Sequence, residues 1–204
     1  MVLDSRGHGL SDRPHDASAY RAETMTRDVI ELLDCIEAER AHFIGHSMGA
    51  RTAFDIALHH SSRLVSLVAI SLGSNLFEAI EPGPLIKAFQ GEDLAQVPDA
   101  IRRTADTLLS IGNDRDALIA CLSAPRPVPA ASDLRTIRQP VMLACGDQDR
   151  IIGDPEKVVT ALPNACAGVF PGYEHTDLLG SDALKDRAVR FISSTDPCEE
   201  CGRS

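Results

Sequence analysis

The 204-residue chain contains no tryptophan, and aromatic residues make up only 4% of it. Its core must therefore be built from aliphatic side chains, and with 44% hydrophobic residues there are enough of them. Positive charge is also scarce. Twenty Lys and Arg stand against 30 Asp and Glu, for a formal net charge of -10. Such a surface lacks the cationic footprint that nucleic acid or an anionic membrane selects. No apolar run approaches the roughly 20 residues that span a bilayer. The start lacks the basic and apolar regions of a secretory signal. A chain of this length suits one domain with a small insertion. Together these absences predict a cytoplasmic protein with no nucleic-acid and no membrane partner; oligomeric state is not legible.

The six cysteines (35, 121, 145, 166, 198 and 201) are scattered, and most fall in apolar segments. That pattern predicts reduced thiols, not a disulfide framework. Cys198 and Cys201 have CxxC spacing, but a zinc site needs a second ligand pair and a redox site needs a surrounding fold. The pair sits in a polar stretch, 193–204, which reads as a disordered tail. No metal and no cofactor is expected.

Along the rest of the chain, short apolar runs alternate with amphipathic ones. This predicts an α/β fold with a mostly parallel sheet and helices on both faces. Strands are expected at 1–4, 42–46, 64–71, 141–146 and 167–171, apolar at consecutive positions as for strands buried on both sides. Helices are expected at 24–38, with Thr24 or Thr26 as cap, and near 156–162 and 182–192. Residues 75–134 contain no convincing strand and are bounded by prolines. They read as a helical cap inserted between the two parts of the core, 1–74 and 135–192.

The run Gly45-His46-Ser47-Met48-Gly49 lies between a predicted strand and a predicted helix. A serine hydroxyl is a weak nucleophile that needs a base and a forced, exposed geometry. A sharp strand-to-helix turn supplies that geometry. Gly45 and Gly49 are then expected to be glycines because strand and helix approach too closely for a β-carbon. Of the seven histidines, His175 stands just past the last expected strand. Reactive groups of parallel sheets gather at such carboxyl ends, so His175 is the candidate base for Ser47. A carboxylate must orient it, and both Asp147 and Asp149 follow the strand 141–146. Arg51 and Asp55, four apart on a helix, are expected to form a surface ion pair.

Four blocks in order resemble the α/β-hydrolase superfamily, and in particular its capped serine esterases and lactonases. They are Asp4-Ser-Arg-Gly-His-Gly9-Leu-Ser11, the Gly45–Gly49 turn, Gly146-Asp-Gln-Asp149 and Gly172-Tyr-Glu-His175. The resemblance implies Ser47 as nucleophile, Asp149 rather than Asp147 as the acid, His175 as base, and the N–H of Met48 as oxyanion donor. It implies a small-molecule acyl substrate (an ester, thioester or lactone) and argues against the branches whose nucleophile is an aspartate. Asp4, Arg6, Gly7 and Gly9 are expected to shape a turn. Measured against the family pattern the chain starts late. The family's third strand and the His-Gly loop that gives a second oxyanion donor have no counterpart, and loss of one such donor costs about 10²–10³ in turnover. The expectation is a chain that is part of a longer protein, with an inert α/β-hydrolase-like protein as the alternative to an enzyme.

Overall fold

Four apolar runs become strands: β1 (Ala41–His46), β2 (Leu64–Ile70), β3 (Val141–Gly146) and β4 (Ala165–Phe170). In the computed structural model, which describes residues 1–79 and 83–194, they form one parallel sheet in the order β1-β2-β3-β4. Helices separate them: α1 (Ala22–Cys35), α2 (Met48–His59), α3 (Gly83–Gln90), α4 (Asp99–Ser110), α5 (Arg115–Ser123), α6 (Ala131–Leu134), α7 (Pro155–Ala161) and α8 (Asp182–Ser193). The chain divides into two compact units, residues 1–29 with 79–127, and residues 30–78 with 128–204.

The second unit holds the sheet. Successive side chains of a strand face opposite sides, and the two faces carry separate cores. Leu67, Ala69 and Leu143 pack with Ala53 and Phe54 of α2, Val158 and Val159 of α7, and Leu134 of α6. Val68, Ile70, Met142 and Ala144 pack with Leu184, Ala188 and Phe191 of α8. The two central strands are therefore dry on both sides, which is why they read as unbroken apolar runs. β1 departs from that expectation. Its residues alternate in exposure, and Ile44, in register with Val68, is 53% exposed.

The first unit is helical and turn-rich. Phe89, Ala105 and Leu118 form its centre, with Leu85, Leu108 and Ile119 around them. The turn that opens the chain is held by its own polar groups. Asp4 accepts Leu10 N–H on Oδ2 at 2.9 Å and Ser11 Oγ–H on its carbonyl at 2.6 Å. The Arg6 guanidinium grips the Asp28 carboxylate through Nε and a terminal nitrogen at 2.9 and 2.7 Å. Gly7 has φ 80°, and a β-carbon there would lie 2.7 Å from the Tyr20 ring. These residues shape a turn, as expected.

Three expectations are corrected. Met1–Asp4 is not a strand: Val2 is 94% exposed. Apolar sequence makes a strand only where a neighbour covers and pairs it. The first helix begins at Ala22, so Thr24 and Thr26 lie inside it rather than capping it. Cys166 in β4 is disulfide-bonded, against the expectation of reduced thiols, while Cys35, Cys121 and Cys145 are free. Cys198 and Cys201 lie outside the described residues. Between residues 75 and 134 the described residues form helices and no strand.

Candidate active site

Ser47 follows the last residue of β1 and precedes the first of α2. Its backbone has φ 49° and ψ -105°, a conformation that L-residues rarely adopt and that functional sites hold against its cost. The turn is tied to the sheet by Ser47 N–H donating to the Ile70 carbonyl at 2.8 Å. Strand and helix approach so closely here that a β-carbon on Gly45 would sit 2.5 Å from the backbone of Gly49. The expectation for Gly49 itself is corrected, because a β-carbon there meets nothing within 4 Å. Gly45→Ala should therefore lower unfolding stability by about 1–3 kcal/mol, as overpacking does, whereas Gly49→Ala should leave it unchanged or higher. Urea denaturation of the two variants checks the difference.

His175 lies beyond β4 in the loop that follows it, and Asp149 lies beyond β3. The structure brings both to Ser47. His175 Nε2 is 3.0 Å from Ser47 Oγ, and its Nδ1 is 2.8 Å from Asp149 Oδ2. The Asp149 side chain is fully buried and that of His175 nearly so. The other oxygen of Asp149 accepts Ile151 N–H at 3.0 Å, so the carboxylate is held at both ends. Asp147 does different work. Its Oδ1 accepts Gly172 N–H at 2.7 Å and binds the Gln148 amide at 3.1 Å, which fixes the turn that presents His175. Met48 is the first residue of α2, at the positive end of the helix dipole. On the same helix Arg51 donates to the Asn75 carbonyl.

Two residues that sequence reasoning passed over touch this site. His46 Nε2 lies 2.7 Å from the carbonyl oxygen of His175, and Ser71 Oγ donates to the same oxygen at 2.9 Å. Ser71, buried at the end of β2, has φ 53°, a second non-glycine strained at the same edge. Neither residue type at these positions announces the contact in sequence. Burial pushes the His46 imidazole below its ordinary 6.5, and the nearby His175 ring adds to the effect. Burial also lowers His8 in the first unit. Well above pH 6.5 both rings are neutral in the folded and the unfolded chain. As pH falls below it, the unfolded chain takes up the protons first, so stability is lost from 6.5 down through the folded values. Thermal unfolding should move to lower temperature between pH 7 and 5, and less so in His46→Gln. Cys145, beside this site, is pushed up to about 12 by burial and by Asp149. Among the described residues, no group of three or more His, Cys, Asp or Glu could hold a metal ion. No helix among them is long and apolar enough to cross a membrane.

A family model described as alpha/beta hydrolase fold matches residues 1–113. The chain belongs to the α/β hydrolase fold family. Epoxide hydrolase A of Mycobacterium tuberculosis is 33% identical over 93 residues, a match covering 46% of this chain and 29% of that protein. The 2-(acetamidomethylene)succinate hydrolase of Mesorhizobium japonicum is 27% identical over 202 residues, covering 86% of this chain and 71% of the relative. The chain thus spans less than a third of the first of these relatives and more than two thirds of the second. Among solved structures, the enol-lactonase of Burkholderia xenovorans superposes with a TM-score of 0.72 over 93% of this chain and 79% of that one, at 22% identity. That likeness is one of fold.

Proposed function

We propose that this α/β hydrolase is a serine hydrolase that cleaves an ester, thioester or lactone through an acyl-enzyme on Ser47. The observation that supports it is the continuous hydrogen-bonded line from Ser47 Oγ through both nitrogens of His175 to buried Asp149. Ser47 Oγ attacks the carbonyl carbon while its proton passes to His175 Nε2. Asp149 holds the Nδ1–H tautomer and stabilises the imidazolium that forms. The developing oxyanion is bound by the N–H of Met48 at the start of α2. His175 then returns the proton to the departing oxygen or sulfur, and the carbon–heteroatom bond breaks. Water, losing its proton to the same nitrogen, attacks the acyl group and releases Ser47.

The epoxide hydrolases among the relatives suggest another substrate. Serine addition to an epoxide carbon makes an ether, which has no carbonyl for a second water to attack. The acyl-transfer reading avoids that dead end. The experiment is direct. The chain is incubated with a fluorophosphonate probe and then with p-nitrophenyl acetate, a thioester and a lactone. The expected result is one phosphonyl group on Ser47 and turnover of at least one acyl substrate. Folded chain that takes no label would favour the inert alternative, and turnover of styrene oxide alone would favour epoxide opening.

A further inference from the structure

We propose that His46 is a positioning residue that sets the distance between the nucleophile and its base by gripping the backbone carbonyl of His175. The proposal rests on the reading of Ser47 and His175 as nucleophile and base.

His175 is carried by a loop, between β4 and the short turn of helix at Asp177–Gly180. A loop-borne imidazole needs an external anchor if it is to stay 3.0 Å from Ser47 Oγ. The loop is strapped at several points: Gln148 N–H donates to the Tyr173 carbonyl at 3.1 Å, and Glu174 N–H donates to Asp177 Oδ1 at 2.7 Å. The carbonyl of His175 itself receives two side-chain donors, His46 Nε2–H at 2.7 Å and Ser71 Oγ–H at 2.9 Å. A carbonyl oxygen has two lone pairs, so both are engaged. The donors come from adjacent strand ends. β1 ends at His46 and pairs it with Ile70, the last residue of β2, and Ser71 follows.

His46 is also bonded covalently to Ser47. The path from the nucleophile to the base therefore runs through one peptide link, one imidazole and one hydrogen bond, with no loop in between. Ser71 grips the same oxygen from the neighbouring strand and stops rotation about the first contact. Ser47 and Ser71, each next to or part of this contact, both have positive φ.

The chemistry of the ring fits this task. A carbonyl accepts only from N–H, so His46 must carry its proton on Nε2, with Nδ1 as the lone pair. The titratable groups that face it are His175, with ring centres 5.1 Å apart and planes tilted by 54°, and Asp149. His175 becomes cationic during the reaction, and a second cation at that distance would oppose it. Burial disfavours the charged form of His46. It therefore serves as a donor that does not compete for the charge Asp149 is placed to stabilise. Serine or asparagine in its place would be too short to reach. Glutamine carries an N–H donor at a similar reach and is the conservative replacement.

The test uses the whole chain. His46→Phe, which keeps an aromatic ring of somewhat larger volume and loses the donor, should slow both Ser47 phosphonylation and kcat for p-nitrophenyl acetate by about five- to tenfold, the worth of one buried hydrogen bond. KM should stay within about twofold, because the substrate does not meet this contact. His46→Gln should recover most of the rate. Ser71→Ala should resemble the Phe variant, and the double variant should be slower than either. A Phe variant labelled at the wild-type rate, or a Gln variant as slow as Phe, overturns the proposal. Histidine-selective ¹⁵N NMR of the unaltered chain gives a readout independent of variants and of activity. His46 should appear as the Nε2–H tautomer and stay uncharged at pH values where free imidazole is half protonated. An Nδ1–H tautomer, or ordinary titration, overturns the clamp. If the unaltered chain takes no label at Ser47, the serine-hydrolase reading fails by itself, and the clamp is judged on the NMR result.

Discussion

Ser47→Ala should lose turnover of an acyl substrate by about 10⁴–10⁶, with no phosphonyl label anywhere on the chain. The size of the loss follows from what is left behind. Asp149 still contacts His175, and the proposed oxyanion donor, Met48 N–H, is untouched. The free Nε2 can then activate only water, which must be held without a covalent link. Stability should hardly change. Among the described residues the Oγ is hydrogen-bonded to His175 at 3.0 Å, and it gives no cap to α2. Alanine at φ 49° is as strained as serine, so its unfolding temperature should lie within a few degrees of the native one. Ser47→Gly should be the more informative companion. It loses the same activity but removes the β-carbon that makes this backbone costly, and it should unfold at a higher temperature than Ser47→Ala. Stopped-flow assay with p-nitrophenyl acetate and a thermal melt of each variant decide both points. An alanine variant within about tenfold of native turnover would remove Ser47 from the mechanism.

The parts of this molecule that were legible in sequence are those whose cause is local. β3 has the expected limits, Val141–Gly146, because a strand buried on both faces has no polar residue to blur its ends. β2 falls within one residue of expectation for the same reason, and α8 does so because Ser181 caps its start through Leu184 N–H. β4 begins two residues early, at Ala165, where small residues carry little strand preference and pairing with β3 decides. Met1–Asp4 has strand-like letters and no strand, since nothing described covers it. The two aspartates after β3 look equivalent in sequence. What separates them is three-dimensional: Asp147 caps the Gly172 amide, while Asp149 turns inward to His175. His46 and Ser71 were invisible as a pair because they meet at a backbone carbonyl, 129 residues from His46 and 104 from Ser71. A main-chain acceptor has no letter of its own to match.

Asp149→Asn isolates the orienting acid with almost no change in shape, and it should lower kcat by about 10⁴ through the tautomer of His175. The direction is set by a neighbour. Ile151 N–H donates to Asp149 Oδ1 at 3.0 Å, and that donor must keep an acceptor. The asparagine carbonyl therefore stays on Ile151, and the amide NH₂ is turned to His175 Nδ1, 2.8 Å away in the native chain. A donor facing Nδ1 forces the ring to accept there and to carry its proton on Nε2. The nitrogen beside Ser47 then has no lone pair with which to take the hydroxyl proton. The claim on the amide is made by a backbone N–H, which the substitution at 149 leaves in place, so the wrong tautomer should be the dominant one. Phosphonylation of Ser47 should slow by a similar factor, while KM for the acyl substrate changes little. ¹⁵N NMR should show His175 as Nδ1–H in the native chain and Nε2–H in the variant. Asp149→Ala leaves Nδ1 without either a donor or an acceptor from this residue, so the ring is free to choose. It should lose less than the asparagine variant, and equal losses in the two variants would show that Asp149 acts by charge alone and not by selecting the tautomer.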